Sequence, residues 1–179
     1  VAVQGATTAA ADTSGLTYNN GASGVGATFT GSVNTAIVVD GYTFTALGQR
    51  LLVKNDTQSP SGAFNGVYSV TQVQTAILPP ILTRALDFNQ SSDINNTGAI
   101  PVINGTINGT TQWVITSTVN TVGTDPLTFT QFTVNPANEM LTTGANATSA
   151  ALDNIAAAAS VALERTVNGE TCALVGSCT

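Results

Sequence analysis

The chain has 179 residues, of which 10 are acidic and 4 are basic, and it contains no histidine. Charged side chains make up 8% of it, against about 25% in an ordinary globular domain. Without histidine, a histidine-based catalytic triad, a histidine metal site and an imidazole pH switch are excluded. A net charge of -6 is poorly suited to a phosphate backbone or an anionic membrane surface. We therefore predict no nucleic-acid partner, no membrane partner and no enzyme activity.

Small, uncharged residues fill the first part of the chain. Residues 1–27 are mostly Ala, Thr, Gly and Asn, with Leu16 and Tyr18 among the few large side chains. Such a segment has too little apolar area to form a core of its own. We predict an extended N-terminal arm that a neighbouring subunit or another protein holds in place.

Residues 28–134 carry the pattern of a β domain. Thr, Val and Ile favour strands, and the Asp-Gly and Asn-Gly pairs between them favour tight turns. Pro79 and Pro80 indicate a loop or a sheet edge over residues 77–82. The predicted fold is mainly β, a small barrel or sandwich without a central helix. Its predicted strands are Ile37–Val39, Arg50–Lys54, Gly66–Val70, Gln112–Thr116 and Leu127–Phe132.

Residues 135–179 form the third part, in which the hydrophobic period changes. We predict a C-terminal helix over Ser149–Arg165, because apolar residues recur there at helical spacing. Leu152, Ile155 and Leu163 lie on its predicted buried stripe. The opposite face is mostly alanine, which allows close packing against another helix or a sheet.

Two cysteines, Cys172 and Cys178, follow the predicted helix. In an oxidising compartment they would close the tail into a small disulfide loop. Two unpaired thiols, or a bridge between subunits, are the alternatives that the sequence leaves open. Two cysteines without histidine are too few ligands for a structural zinc ion, so we predict no metal and no cofactor.

Two other sets of residues are candidate sites. The carboxylates Asp40, Asp56, Asp87 and Asp93 could be paired for glycoside hydrolysis, but each also suits a turn or a helix cap, and we favour that structural role. The second set consists of aromatic side chains that could stack on a sugar. Because each lies within a strand pattern, we predict a core role for Tyr68, Trp113, Phe129 and Phe132.

The patterned region resembles a module that recurs in bacteriophage tail fibres and other virion surface proteins. Its "GDRVLVKNQ", "NGIY" and "LTRATD" signatures are similar to Gly48–Asn55, Asn65–Tyr68 and Leu82–Asp87. Gln49 departs from the family pattern, which often has Asp there. The remaining matches, in order around these three, are Thr17–Gly21, Gly24–Thr28, Asp40-Gly41, Trp113-Val114 and Gly123–Phe129.

Three of the four basic residues, Arg50, Lys54 and Arg84, fall inside the resembling region. In a chain so poor in charge, this placement favours structural ion pairing. We expect Arg50, Arg84 and Asp87 to take part in it, for instance Arg84 with Asp87 or with Asp56.

The resemblance implies a structural protein on the outside of a phage particle, either a tail-fibre or appendage segment or a capsid-decorating protein. We expect its partners to be other virion proteins and further copies of itself, with a trimer favoured because fibre-like virion proteins are commonly trimeric. The alternative is a carbohydrate-binding module that recognises a host-surface glycan. Its binding surface would then be the loop 89–96 or the loop 104–111.

Overall fold

The computed structural model describes residues 2–58, 60–133, 164–167 and 170–173. The chain divides into two compact units, Val1–Asn138 and Glu139–Thr179. Strands are the main regular element in the described part of each unit, so the prediction of a mainly β protein is confirmed.

Eleven strands are described in the first unit, together with one short helix, α1 (Ser91–Asn95), and two 3₁₀ turns, Ala10–Asp12 and Leu86–Phe88. The strands are β1 (Gly5–Ala6), β2 (Leu16–Asn19), β3 (Thr28–Gly31), β4 (Ile37–Val39), β5 (Tyr42–Phe44), β6 (Arg50–Val53), β7 (Gly66–Gln72), β8 (Ile81–Arg84), β9 (Ile100–Pro101), β10 (Gln112–Ile115) and β11 (Phe129–Thr133).

Six of these strands form the central sheet, in the order β1-β6-β7-β8-β3-β2. β1 pairs with β6 in parallel, and the other neighbours are antiparallel. A second sheet has the order β11-β10-β9, and β4 and β5 form a separate hairpin. No closed barrel is present among residues 2–133, with residue 59 left aside.

Both faces of the central sheet are covered, and the alternation along β6 shows how. Leu52 packs in one apolar cluster with Ile100 and Leu127, which the second sheet and its flanking loops supply. Leu51 and Val53 point the other way, into a second cluster. That cluster also contains buried side chains of the β4–β5 hairpin, namely Ile37, Val39 and Phe44. Because both faces are buried, β6 is apolar at consecutive positions instead of alternating with polar residues.

The N-terminal segment belongs to this architecture and is not a separate arm. β1 pairs with β6, and β2 pairs with β3. Val3 and Ala6 are fully buried in the cluster that contains Leu52. The segment thus obtains its apolar contacts and backbone hydrogen bonds from the same chain. This corrects the expectation that its order must come from a neighbouring subunit.

The five predicted strands are confirmed as β4, β6, β7, β10 and β11, with shifts of one or two residues at their ends. Between Arg50 and Val70 the described residues contain no helix. The prolines precede β8, which begins at Ile81 and lies between β7 and β3 inside the sheet. Their missing N–H groups therefore fall just outside the ladder of this central strand.

The second unit is described only as a hairpin, β12 (Glu164–Val167) and β13 (Glu170–Ala173). Most of the predicted helix Ser149–Arg165 lies outside the described residues. Its last two positions, Glu164 and Arg165, belong to β12, so the predicted helix boundary is wrong there.

Candidate functional site

Two of the segments that resemble the phage module, Asn65–Tyr68 and Leu82–Asp87, meet at the side chain of Arg84, at the end of β8. This side chain is 1% exposed. Its Nη1 donates to the carbonyl of Asn65 at 3.0 Å, and its Nη2 donates to the Tyr68 hydroxyl at 2.7 Å and to the Phe64 carbonyl at 3.4 Å. The guanidinium carbon also lies 4.8 Å from the centre of the Tyr68 ring. A cation is thus held inside the fold by neutral acceptors and an aromatic face.

Gly66 makes room for this guanidinium. Its φ of +150° is a conformation that side chains rarely adopt, and a Cβ at this position would overlap Arg84 Nη1. The neighbouring Asn65 side chain ties three strand ends together. It donates to the carbonyls of Lys54 and Leu127 at 3.2 and 2.9 Å and accepts from the Asp56 N–H at 2.9 Å. The Asn65-Gly66 pair therefore has two roles besides forming a turn. Gly66 leaves space for Arg84, and the Asn65 side chain joins three strand ends.

The Tyr68 hydroxyl completes the cluster. It donates to the Phe64 carbonyl at 2.6 Å and accepts from Arg84. Burial raises the pKa of Tyr68 well above its usual value, and the Arg84 charge acts in the opposite direction. The phenol therefore stays protonated and available as a donor at neutral pH. We call Asn65, Gly66, Tyr68 and Arg84 the arginine cluster.

The expected pairing of Arg84 with Asp87 or Asp56 is wrong. Asp87 instead binds Arg50, with Nη2 to Oδ1 at 2.6 Å and Nη1 to Oδ2 at 3.0 Å. This bidentate pair is the one ion pair among the residues the structure describes. The hydrogen bond from Arg50 lowers the pKa of Asp87. Asp56 accepts from the Thr13 hydroxyl at 2.6 Å and from the Gln58 side chain. Arg84 is buried, and its two Nη atoms donate to the carbonyls of Asn65 and Phe64 and to the Tyr68 hydroxyl.

Gln49, the departure from the family pattern, closes the loop after β5. Its Oε1 accepts from the N–H groups of Thr45 and Ala46 at 2.8 and 2.9 Å, and its Nε2 donates to the Tyr42 hydroxyl at 2.6 Å. An aspartate carboxylate could take the two N–H bonds but could not donate to Tyr42. Gln49 therefore stabilises the loop after β5 and does not act as a partner of Arg50.

The third basic residue of the motif, Lys54, lies against Trp113. Its Nζ is 4.0 Å from the centre of the indole ring and donates to Asn55 Oδ1 at 3.0 Å. The indole N–H is satisfied by the Thr111 hydroxyl at 2.9 Å. Trp113 is half-buried and packs against the core cluster, with the lysine on its face. The ring is thus not an open platform for a sugar.

The other three aromatic residues differ in their burial. Tyr68 is fully buried and Phe129 is partly buried, as predicted. Phe132 is 69% exposed, so its predicted core role is wrong. Phe132 is the extra residue of a bulge in β11: Gln131 pairs with Trp113 and Thr133 with Gln112, so Phe132 has no partner in β10.

Asp40 anchors a loop that is distant in the sequence. Its φ is +52°, and its two carboxylate oxygens accept from the N–H groups of Ile107 and Asn108 at 2.9 and 2.7 Å. Asn108 is buried and donates to the carbonyls of Ala6 and Thr7. The sequence marked both places as turns, but it gave no signal that these turns are bonded across 67 residues.

A shallow cleft of about 330 Å³ lies beside the start of β2. Its lining is mostly small and uncharged, with Asp12 as its charged member and Pro80 at one side. The Oδ2 atom of Asp12 is bonded to the N–H groups of Thr8 and Ala9 and to the Thr8 hydroxyl. The cleft carries too few polar groups with defined partners to indicate a particular ligand.

The remaining candidate residues do not form a site in the described part of the chain. No group of three or more Cys, Asp or Glu side chains with metal-binding geometry is found there. Cys172 lies in β13, and Cys178 lies outside the described residues, so their pairing stays a prediction. Of the two predicted glycan loops, 89–96 contains α1, and 104–111 is the loop held by Asp40.

No described helix is both long and apolar enough to cross a membrane. Comparison of the chain with protein-family models, with curated proteins and with solved structures finds no match.

Proposed function

We propose that this chain is a structural component of the exterior of a bacteriophage virion, a tail-fibre or appendage segment or a capsid-decorating protein. In this role it acts by assembly and attachment. Its partners are further copies of itself and other virion proteins.

The observation that carries the proposal is the convergence of the resembling segments. Residues from three separate segments of the motif are in contact: Arg84 with Asn65 and Tyr68, and Arg50 with Asp87. The neighbouring strands β6, β7 and β8 bring these segments side by side, and their charged and polar side chains meet there with complementary chemistry. The contacts therefore support a shared architectural module. They also give the motif residues a role in holding strands together, which suits a building block.

The proposal of self-assembly rests on the sheet edges. β2 and β11 each lie at the end of a sheet, and neither contains a charged residue. Natural edge strands usually carry charges, prolines or bulges that prevent pairing with other chains; of these, β11 has a bulge at Phe132, where its register with β10 shifts, and β2 has none. Large apolar side chains are also exposed in this unit, among them Ile77 at 82%, Leu86 at 85% and Phe132 at 69%. Uncharged edges and exposed apolar groups favour a closed symmetric assembly, and we favour a trimer.

Immunogold labelling of intact particles tests the virion role. An antibody against the purified chain should mark one defined structure on particles from the host culture that produces it. The same antibody should not mark particles from a phage in which the coding region has been deleted. A signal confined to the cell lysate and absent from purified particles would contradict the proposal.

A carbohydrate-binding module is the second candidate, and the cleft beside β2 is a concave surface at which a sugar would be sought. The volume of about 330 Å³ falls at the lower end of the range of ligand pockets. Retention of the chain on immobilised host polysaccharide tests this candidate. Assembly without retention supports the structural role alone, whereas retention of a monomer supports carbohydrate binding instead.

A further inference from the structure

The sequence Ile-Asn-Gly-Thr occurs twice in succession, at residues 103–106 and 107–110. Each copy contains an Asn-Gly pair, in which the glycine has no side chain to shield its backbone nitrogen from the preceding asparagine. Because the four residues are identical in the two copies, a difference in their chemical behaviour has to come from the fold. The structure places the two copies in different surroundings.

The asparagine of the second copy is buried and bonded. Asn108 is 3% exposed, and its Nδ2 donates to the carbonyls of Ala6 and Thr7 at 3.1 and 3.4 Å. Its backbone N–H donates to Asp40 Oδ2 at 2.7 Å. These bonds have to be broken before the side-chain amide can approach another group, so its reaction requires the loop to open first.

The asparagine of the first copy lacks these restraints. Asn104 and Gly105 are both half-buried. Within the described part of the chain, neither the Asn104 side-chain amide nor the Gly105 N–H makes a hydrogen bond to another protein group. The Asn104 amide is also not among the buried polar atoms that lack a partner, so water reaches it. An amide carbon and the nitrogen that could attack it are thus adjacent and unrestrained.

Contacts restrain the other two Asn-Gly pairs of the described residues. The buried side chain of Asn65 is bonded to three backbone groups. Gly21 donates its N–H to Asn19 Oδ1 at 2.8 Å, and Asn20 Oδ1 accepts from a tyrosine hydroxyl at 2.9 Å. Of the four described pairs, the pair at 104–105 is therefore the one in which both the amide and the glycine N–H lack a protein partner.

We propose that Asn104 is a self-modifying site, which loses its amide nitrogen in water and becomes aspartate or isoaspartate. The Gly105 nitrogen gives up its proton and attacks Cγ of Asn104. The Cγ–Nδ2 bond breaks, and Nδ2 leaves with a proton as ammonia. Water then opens the resulting five-membered succinimide ring at either carbonyl. One water is consumed and one ammonia is released, without an oxidant or reductant. This inference is independent of the proposed function.

The reaction changes a loop that is anchored on both sides of the site. The Asn104 N–H donates to the Gln4 carbonyl at 2.9 Å, and the Thr106 N–H donates to the Asp40 carbonyl at 3.0 Å. Isoaspartate adds one methylene to the backbone between these two bonds. Either product also adds a negative charge one residue before Gly105, which lies against the Asp40 carboxylate. We therefore expect faster amide hydrogen exchange at Thr106 after the modification.

Ageing of the full chain in a mildly alkaline buffer tests the proposal. Each conversion raises the mass by about 1 Da, because an amide NH₂ is replaced by OH. Peptide fragmentation in the mass spectrometer assigns this gain to position 104 or 108. In the folded chain we expect position 104 to convert at least about tenfold faster than position 108. In the chain unfolded by urea, the two identical tetrapeptides should convert at rates within about a factor of two of each other.

The matched control is Asn104→Gln, which keeps a side-chain amide but needs a larger ring, which closes more slowly, to reach the same nitrogen. This variant should show no mass gain at position 104, the wild-type rate at position 108 and the wild-type circular dichroism spectrum. Equal conversion of positions 104 and 108 in the folded chain would overturn the proposal. So would the absence of conversion at position 104 over the time in which the unfolded chain converts completely.

Discussion

At the scale of single residues, the buried guanidinium of Arg84 explains why Gly66 and Tyr68 occur together. A buried cation needs acceptors for its N–H groups, because transfer from water without them costs several kcal/mol. The carbonyl of Asn65 and the hydroxyl of Tyr68 supply them. Gly66 supplies the space. Gly66 and Tyr68 are therefore required by the same neighbour, whereas the Asn65 side chain bonds the backbone of Lys54, Asp56 and Leu127.

The Gly66→Ala variant tests this dependence. The added Cβ would overlap the guanidinium and would adopt an unfavourable φ, so we expect a loss of about 2–4 kcal/mol in the free energy of unfolding. Urea denaturation followed by tryptophan fluorescence measures it. Gly98→Ala is the matched control, since nothing lies within 4 Å of its Cβ position, and it should change stability by less than about 0.5 kcal/mol. Equal effects of the two variants would contradict this role of Gly66.

The Arg50–Asp87 pair gives a prediction about pH. The pKa of Asp87 is lowered in the folded protein, so folding favours the charged carboxylate. Its contribution is present above the unfolded pKa of about 3.9 and is lost as the pH falls through the lower, folded value. Because Asp87 is 51% exposed, solvent screening limits the contribution to about 1 kcal/mol or less.

Asp87→Asn should accordingly be less stable than the wild type at pH 6, and the difference should shrink as the pH is lowered towards 2.5. Denaturation curves of both proteins at several pH values measure this. A difference that stays constant down to pH 2.5 would show that the ion pair is not its source.

At the scale of elements, the strands were more predictable than the contacts between them. β4, β6, β7, β10 and β11 follow from runs of β-branched and aromatic residues bounded by turn pairs. The position of β1 could not be predicted in this way. Gly5 and Ala6 have no strand signal, and they are held because the parallel neighbour β6 offers its backbone groups. Pairing between distant segments leaves no local trace in one sequence.

The contacts of the candidate site, like the strand pairings, could be predicted only in part from the sequence. The sequence pointed to Arg50, Arg84 and Asp87, and the Arg50–Asp87 contact is formed. The predicted partner of Arg84 is wrong because neutral groups accept from its Nη atoms, and backbone carbonyls, which every residue carries, leave no signal in a sequence. The contacts of Lys54 with Trp113 and of Asp40 with the loop 104–111 join residues that are dozens of positions apart. Only the three-dimensional arrangement reveals such contacts.

The loop 104–111 provides a test at this scale. Asp40→Ala removes both acceptors for the N–H groups of Ile107 and Asn108, and alanine disfavours a φ of +52°. We expect a loss of about 2 kcal/mol in the free energy of unfolding. Asp40→Asn keeps one acceptor oxygen and tolerates the positive φ, so it should lose about half as much. Amide hydrogen exchange at position 108 should accelerate more in the alanine variant; an unchanged rate there would contradict the anchoring.

At the scale of the whole molecule, low charge and uncharged edges point towards assembly. The N-terminal segment no longer supports that conclusion, because β1 and β2 are ordered within their own chain. The features that still favour assembly are the exposed apolar side chains and the edges of β2 and β11. A net charge of -6 spread over 179 residues gives little repulsion between copies at physiological salt.

Phe132→Asp tests the contribution of the β11 edge. Because Phe132 is 69% exposed, its replacement should leave the stability of the isolated chain within about 0.5 kcal/mol. A charge at the centre of an apolar interface should weaken association at least about tenfold. Thr17→Asp is the matched control at the other edge, in β2. Comparing the concentration dependence of assembly for the two variants identifies the edge that is used, and no change in either would exclude both edges.

Sedimentation equilibrium of the purified chain at micromolar concentration tests the central claim, that this is an assembling structural protein, most directly. The account predicts a single species with the mass of a closed oligomer, three chains of 18.1 kDa each for the favoured trimer. That mass should not change between low and physiological salt, since the proposed contacts are uncharged. A chain that sediments as a monomer across this concentration range would contradict the account.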